Sequence, residues 1–160
     1  GIRYEADQRH AEIIVKAMGK QMKGQPLSAP GIPTKSDELT EENMKPVDKE
    51  QATLFRAITA RGNYLAQDRS DIRYAIKELS RHMSKPRHMD VKALIRLGKY
   101  LKGRERYVQR FDYQESNAKD SNKYINVWTD SDHAGCLETR KSTAGGVMML
   151  NQHAIKHKKI

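Results

Sequence analysis

The spacing of the apolar residues changes once along this chain of 160 residues, and that change constrains the fold more than any other feature. Up to residue 102, apolar residues recur at intervals of three and four, the period of helices that bury one side. From Tyr107 onward, aromatic and β-branched residues and an alternating pattern indicate strands. The order predicts an α+β fold, with an antiparallel helical segment followed by a three-stranded antiparallel sheet.

Four helices are predicted from this spacing. The first covers residues 4–20 and ends near Gly19, and its predicted buried side consists of His10, Ile13, Ile14 and Ala17. The others cover residues 50–66, 71–83 and 88–102. In the third helix we expect the buried side to be formed by Ile72, Ala75, Ile76, Leu79 and Met83.

The ends of the third and fourth helices carry recognisable signals. Ser70 is the predicted N-cap of the third, because its hydroxyl can accept a hydrogen bond from a free amide of the first turn. Pro86 is expected to close that helix, and Gly103 to end the fourth. The short loops at 67–70 and 84–87 favour antiparallel packing of neighbouring helices.

A proline-rich acidic segment separates the first helix from the others. Four of the five prolines lie between Pro26 and Pro46, and each disfavours helix at the preceding residue. From Thr34 to Glu50 there are six acidic residues and three lysines, a net charge of -3. We therefore predict an extended, solvated connector over residues 24–47.

The C-terminal part reads as strands and turns. A strand is predicted over residues 107–113, and the residues Glu115 to Asn122 are expected to form a polar loop. The three strands of the predicted sheet follow at 124–129, 145–150 and 153–159, with a turn at Asn151 and Gln152. Three strands without a covering helix are only marginally stable alone.

The net charge of +10 favours a polyanionic partner, with nucleic acid ahead of a membrane surface. No stretch approaches the roughly 18 apolar residues of a membrane helix. Residues 81–110 hold ten basic residues against two acidic ones, a net charge of +8. The candidate nucleic-acid-binding residues are Arg81, Lys85, Arg87, Lys92, Arg96, Lys99, Lys102 and Arg104. Lys92, Arg96 and Lys99 share one side of the predicted helix, although a merely solvated surface is the alternative interpretation.

Asp130 and Asp132 follow a predicted strand and lead into a turn of small residues. Mg²⁺ in proteins prefers oxygen ligands and is often held by one or two carboxylates together with substrate phosphates. Aspartate is also an ordinary turn residue, so the pattern alone favours a structural role. The single cysteine, Cys136, excludes an intramolecular disulfide and any zinc site of several cysteines.

Six blocks of sequence, taken in order, resemble the Pol polyprotein of copia-type retrotransposons. They are Leu54-Phe55-Arg56-Ala57-Ile58 with Asn63-Tyr64-Leu65-Ala66, Arg69 to Ile76, Leu79 to Pro86, Lys99 to Gly103, Thr129 to Gly135, and Arg140 to Gly146. Together the blocks cover residues 50–160, and residues 1–49 fit the same polyprotein more loosely. His133 and Ser70 depart from the family pattern, which has tryptophan and proline there.

The resemblance implies a segment that joins the C-terminal part of a reverse transcriptase to the incomplete start of an RNase H-like fold. It assigns residues 1–23 to a helical segment leading out of the polymerase and 24–49 to the connector. Residues 50–104 would be a thumb- or connection-like region, and 105–160 the truncated start of the RNase H-like domain. Asp130 corresponds to the first metal-binding carboxylate of RNase H, where two Mg²⁺ ions support cutting of the RNA strand of a hybrid.

The same resemblance sets limits on activity. The polymerase Asp-Asp motif and the later RNase H carboxylates have no counterpart in these residues, and Asp132 is not expected to be catalytic. We therefore expect a piece of a longer protein that binds no Mg²⁺ and is inactive alone, inside the cell in a cytoplasmic particle or the nucleus. Its implied partners are an RNA–DNA hybrid or template–primer and the rest of the Pol polyprotein, without a membrane.

Two other functions stay open at this point. One is a non-catalytic basic module that binds nucleic acid. The other is a basic helical scaffold that binds an acidic protein. Loss of hybrid binding at low salt would leave only the scaffold.

Overall fold

A computed structural model describes residues 1–19, 21–113 and 124–159. The chain divides into two compact units, which are described separately. The first, residues 5–108, is helical, and the second consists of residues 1–4 together with 109–160. The polar loop predicted from Glu115 to Asn122 lies outside the described residues.

The helical unit contains five α-helices among its described residues. They are α1 (Gln8–Met18), α2 (Glu41–Met44), α3 (Lys49–Asp68), α4 (Arg73–Ser80) and α5 (His88–Lys102). A short 3-10 turn spans Ser36–Glu38. The predicted bounds of α5 are confirmed, α3 extends slightly beyond its prediction at both ends, and α2 was not predicted. None of the helices in the described part of the chain combines the length and the apolar character needed to cross a bilayer.

One apolar core holds these helices together. Helix α1 packs against α3 and α5, and α4 packs mainly against α3. The largest fully buried apolar side chains are Ile14, Met18, Phe55, Ile72, Ile76, Leu97 and Leu101. Gly98 of α5 faces two methionine side chains, and an added Cβ would lie 2.6 Å from the Met22 sulfur and 3.0 Å from the Met18 sulfur. A larger residue at Gly98 would therefore displace these side chains.

The structure corrects the prediction for α1. The helix begins at Gln8 rather than at residue 4, because the Asp7 carboxylate accepts a hydrogen bond from the Arg9 amide at 3.0 Å and caps the first turn. Hydrogen bonds from the Arg9 side chain and amide lower the pKa of Asp7 to about 2. The buried side consists of Ala11, Ile14 and Met18. Of the four residues predicted to be buried, only Ile14 is, and Ile13 is 45% exposed.

Helix α4 keeps its predicted buried side but not its predicted ends. It starts at Arg73, with Ile72 at the N-cap position and no side-chain cap, so the prediction of Ser70 as N-cap is wrong. The Ser70 hydroxyl instead lies 3.4 Å from the Tyr107 hydroxyl. The helix ends at Ser80, several residues before Pro86. Ile72, Ala75, Ile76 and Leu79 are buried as predicted, whereas Met83 is half-buried against the core.

The predicted connector has no buried side chain between residues 24 and 49. It is only partly extended, since it includes the 3-10 turn and α2. Backbone hydrogen bonds tie it to residues around α5: the Val47 amide donates to the Pro86 carbonyl at 3.0 Å, and the His88 amide donates to the Lys45 carbonyl at 3.1 Å. The connector is therefore fastened to the helical unit near the start of α5.

The second unit contains the three predicted C-terminal strands, β3 (Ile125–Ser131), β4 (Ala144–Leu150) and β5 (His153–Lys159), in an antiparallel sheet of order β3-β4-β5. Asn151, with φ of 52°, turns the chain between β4 and β5. Two further strands, β1 (Ile2–Glu5) and β2 (Val108–Phe111), form a separate pair. The C-terminal half of β1, Tyr4 and Glu5, falls within the range predicted for the first helix, so the prediction is wrong there. The α+β class is confirmed.

Candidate nucleic-acid interface

Helix α5 places Lys92, Arg96 and Lys99 on one side, as the sequence predicted. Lys92 is exposed, and Arg96 and Lys99 are half-buried. The Arg96 Nε atom is buried and has no hydrogen-bond partner among the described residues. The row is therefore present, but only its outer atoms are accessible to a partner.

The acidic connector flanks this row, which the sequence did not reveal. Helix α2 packs against α5, and the Lys92 Nζ atom donates a hydrogen bond of 2.8 Å to the Asn43 side-chain oxygen. Asn43 in turn donates to the Glu38 carbonyl at 2.8 Å. Asn43 follows Glu41 and Glu42 directly, so these two carboxylates lie on a short helix beside the basic row.

A second contact with the connector lies at the end of α5. The Leu27 amide donates to the Lys99 carbonyl at 3.4 Å, and the Arg104 guanidinium donates to the Leu27 and Ser28 carbonyls at 3.3 and 3.4 Å. Arg104 also lies over the ring of Tyr100, with 4.9 Å from its central carbon to the ring centroid. Arg104 remains exposed despite these contacts. Its charge can therefore still act on a polyanion.

Arg87 does not share this surface. It is only 8% exposed, and its Nε and Nη2 atoms donate to the Asp90 carboxylate at 2.9 and 3.0 Å. The same carboxylate accepts the Arg87 amide at 2.9 Å and so caps the start of α5. The Arg87 guanidinium also contacts His82. Because its charge is buried and paired, we exclude Arg87 from the interface.

The remaining candidates lie on the surface at the two ends of α5. Arg81 and Lys85 precede the helix and are exposed, and Arg81 forms an ion pair of 3.1 Å with Glu78. Lys102 is the last residue of α5 and is exposed as well. We use the term α5 surface for the seven accessible candidates: Arg81, Lys85, Lys92, Arg96, Lys99, Lys102 and Arg104.

A buried polar network supports the end of this surface and was missed from the sequence. Arg69 is fully buried and donates to both carboxylate oxygens of Asp71, at 3.1 and 2.8 Å. It also donates to the Arg104 carbonyl at 2.7 Å, and Tyr100 donates to Asp71 at 2.7 Å. The network fixes the chain that leaves α5. In the sequence, Arg69 and Asp71 are notable only as members of one of the six blocks that resemble copia-type Pol polyproteins.

The network shifts the pKa values of its members in opposite directions. Burial alone would raise the pKa of Asp71, but the hydrogen bonds from Arg69 and Tyr100 outweigh it and lower that pKa. Burial and the hydrogen bond to the Asp71 carboxylate raise the pKa of the Tyr100 phenol. The ionised carboxylate and the neutral phenol are therefore the forms that the fold stabilises.

Asp130 lies in the sheet unit on β3, where it is exposed and pairs in register with Gly145. Asp132 holds the turn after β3: its carboxylate accepts the Thr143 amide, and its own amide donates to the Thr143 carbonyl at 3.0 Å. No group of three His, Cys, Asp or Glu side chains converges within residues 1–19, 21–113 and 124–159. The described residues thus do not fit a site for two Mg²⁺ ions.

Sequence comparison gives relatives for this chain. The uncharacterized mitochondrial protein AtMg00810 of Arabidopsis thaliana is 32% identical over 149 residues, which are 92% of this chain and 56% of that protein. The retrovirus-related Pol polyproteins from transposons RE1 and RE2 of the same plant are each 31% identical over 103 residues, or 64% of this chain. The chain is a homologue of retrotransposon Pol polyproteins. This confirms the resemblance to copia-type Pol polyproteins that the six blocks indicated.

The matched region is a large share of one relative and a small share of the other two. The chain spans about half the length of AtMg00810 and 7% of each transposon polyprotein. No protein-family model matches the chain, and no solved structure matches it.

Proposed function

We propose that the chain works as a nucleic-acid-contacting part of a reverse transcriptase and RNase H polyprotein, with the α5 surface against the phosphate backbone of template–primer or an RNA–DNA hybrid. The observation that carries this proposal is the net charge of +8 over residues 81–110 in a homologue of Pol polyproteins. The cations contact phosphates, and affinity comes mainly from the counterions that they release. The contact is independent of base sequence.

Salt dependence provides the quantitative test. If Lys92, Arg96 and Lys99 each neutralise one phosphate, the logarithm of the association constant falls against the logarithm of salt concentration with a slope steeper than about -2. Replacing all three by alanine should reduce the affinity for a 20-base-pair hybrid and flatten this slope by about 2 to 3. Fluorescence anisotropy between 25 and 200 mM NaCl measures both quantities.

The matched control removes three exposed lysines elsewhere, at Lys16, Lys49 and Lys141. This variant loses the same charge but should keep more of its affinity than the α5 variant. Equal losses in the two variants would show that only net charge matters and would reject a defined α5 surface. Absence of hybrid binding by the wild-type chain at 25 mM NaCl would reject the proposed function.

The catalytic part of the proposal is narrower. In a complete RNase H site Asp130 would supply one carboxylate for Mg²⁺, and partners from outside the described residues would supply the others. We expect the 160 residues to leave a hybrid intact in 5 mM Mg²⁺. Cutting that depends on Mg²⁺ and disappears in Asp130→Asn would contradict this expectation.

A second candidate function rests on the docked connector. The segment from Lys35 to Glu50 is acidic and lies beside α5, so this helix already accommodates an acidic peptide within the chain. An acidic protein partner could use the same side. If the hybrid fails to bind and an acidic peptide binds with an affinity that depends on Lys92, Arg96 and Lys99, this candidate replaces the first.

A further inference from the structure

The helical unit has a second surface, where the aromatic ring of Tyr64 lies outside the apolar core. Tyr64 lies in the interior of α3, between the buried residues Gly62 and Leu65, yet its side chain is 67% exposed. An exposed tyrosine in the middle of a long, well-packed helix does not contribute to the core. A lone exposed ring of this kind is ordinary, whereas several apolar groups that lie together mark a binding site.

The ring has an aromatic neighbour from another helix. The imidazole of His10 in α1 lies nearly parallel to the Tyr64 ring, with an angle of 11° between the planes and 6.3 Å between the centroids. The distance and angle are within the range of offset aromatic pairs. Two helices thus present two flat rings with a common orientation.

A guanidinium fixes the orientation of the imidazole. Arg61, one turn before Tyr64 on α3, lies with its Nη1 atom 3.3 Å from His10 Nδ1. Because arginine can only donate, Nδ1 of His10 acts as the acceptor in this contact. The arrangement is therefore held before any ligand arrives, and Arg61 adds a positive charge beside the rings.

The neighbouring turn of α1 extends the apolar surface. Ile13 follows His10 by three residues and is 45% exposed. His10 and Ile13 are two of the residues that the sequence pattern assigned to the core. The exposure of Ile13 and the partial exposure of His10 are explained if they serve this surface rather than the core.

We propose that Tyr64 and His10, with Arg61 beside them, form a stacking platform for an unpaired nucleobase of a single-stranded nucleic acid. The proposal deepens the proposed function and rests on it for the choice of ligand. Every base has an aromatic face, so such a platform accepts any base without reading the sequence. Paired bases within a duplex cannot reach it, whereas the α5 surface needs only phosphates.

The test separates bases from phosphates. A 12-nucleotide oligo(dA) and an abasic 12-mer of the same charge are titrated against the wild-type chain by anisotropy. The wild type should bind oligo(dA) at least about fivefold more tightly, since even one stacked base has this effect. Tyr64→Ala should bind the two oligomers equally, and Tyr64→Phe should retain the preference.

Controls assign each outcome. Tyr113→Ala removes a tyrosine of similar exposure and should leave the preference unchanged. Replacing Lys92, Arg96 and Lys99 by alanine should weaken binding of both oligomers by the same factor. If the wild type binds both oligomers equally with steep salt dependence, the platform is rejected while the α5 surface stands.

The opposite result is equally informative. A preference for oligo(dA) that depends on Tyr64 but not on the three α5 cations would support the platform and show that single strands do not use the α5 surface, which hybrid binding tests separately. Retention of the preference in Tyr64→Ala would overturn the platform. Absence of binding to either oligomer would overturn the platform, whereas the α5 surface is rejected only if the hybrid also fails to bind.

Discussion

The two units of this chain differ in how they bury apolar residues. Within the part that the structure describes, every buried apolar residue lies between Ala6 and Leu101, in the helical unit. In the sheet unit all residues of β3 are exposed, and Trp128 is 66% exposed. The larger apolar residues of β4, Val147 to Leu150, are only half-buried. Burial of apolar area is the main stabilising contribution to folding, so the helical unit carries most of the stability.

The difference also explains how each unit treats its polar groups. In the helical unit Arg69, Arg87 and Asp90 are buried and meet partners within the same unit. The sheet unit places Asp130 in the open and uses Asp132 only to shape a turn. Buried ionic groups need fixed partners, whereas exposed ones are solvated by water. The helical unit is therefore also the region where single polar substitutions have large effects.

Truncation of an apolar side chain should show the largest difference in stability loss between the two units. Leu97 is fully buried between α5 and its neighbours, and Leu97→Ala should lower the free energy of unfolding by about 2–5 kcal/mol. Val127→Ala removes apolar atoms from β3, where the side chain is 59% exposed, and should change it by less than about 1 kcal/mol. Urea unfolding followed by circular dichroism at 222 nm measures both changes. A large loss for Val127→Ala would show that this strand is covered in solution.

The polar network should produce a smaller, pH-dependent effect in the helical unit. The pKa of Asp71 is lowered in the fold, so its contribution is present above the pKa of the unfolded chain, about 4, and is lost as the pH falls through the folded pKa. Asp71→Asn should cost about 1–3 kcal/mol at pH 7 and reduce the loss of stability in acid. Unfolding curves between pH 2.5 and 7 measure this.

The exposed Asp37 provides the control for that experiment. Asp37→Asn should follow the wild-type dependence on pH within about 0.5 kcal/mol. The raised pKa of Tyr100 predicts a further loss as the pH rises above about 10, where the unfolded chain ionises first. An acid dependence in Asp71→Asn as steep as in the wild type would show that other carboxylates cause it.

Local signals were sufficient for much of the secondary structure. The bounds of α5 follow from its helical spacing and from Gly103. Strand β4 follows from its apolar run, and β5 follows from the turn at Asn151. The buried side of α1 was not predictable in the same way. Residues three or four positions from Ile14 lie on both of its flanks, with Ala11 and Met18 on one flank and His10 and Ala17 on the other. Only the positions of α3 and α5 decide which of them meets the core.

The candidate site shows the same limit for charges. The count of basic residues over 81–110 grouped Arg87 with the exposed cations. Asp90, three residues later, in fact signals a cap at the start of a helix. Lys92 was correctly placed on one side of α5, but its contact with Asn43 joins residues 49 positions apart. Periodicity cannot report such a contact. The docking of the acidic connector therefore required the structure.

Removing charge from the connector should give the smallest effect. Glu41 and Glu42 lie on α2 beside the α5 surface, so they repel an approaching polyanion. Replacing both by glutamine should raise the affinity for a hybrid about two- to threefold at 25 mM NaCl and less at 150 mM, because salt screens charges at this range. The same loss of two charges in the sheet unit, at Asp112 and Glu138, should have less effect. Equal gains would mean that net charge alone governs binding, and the helical unit would then hold no defined interface.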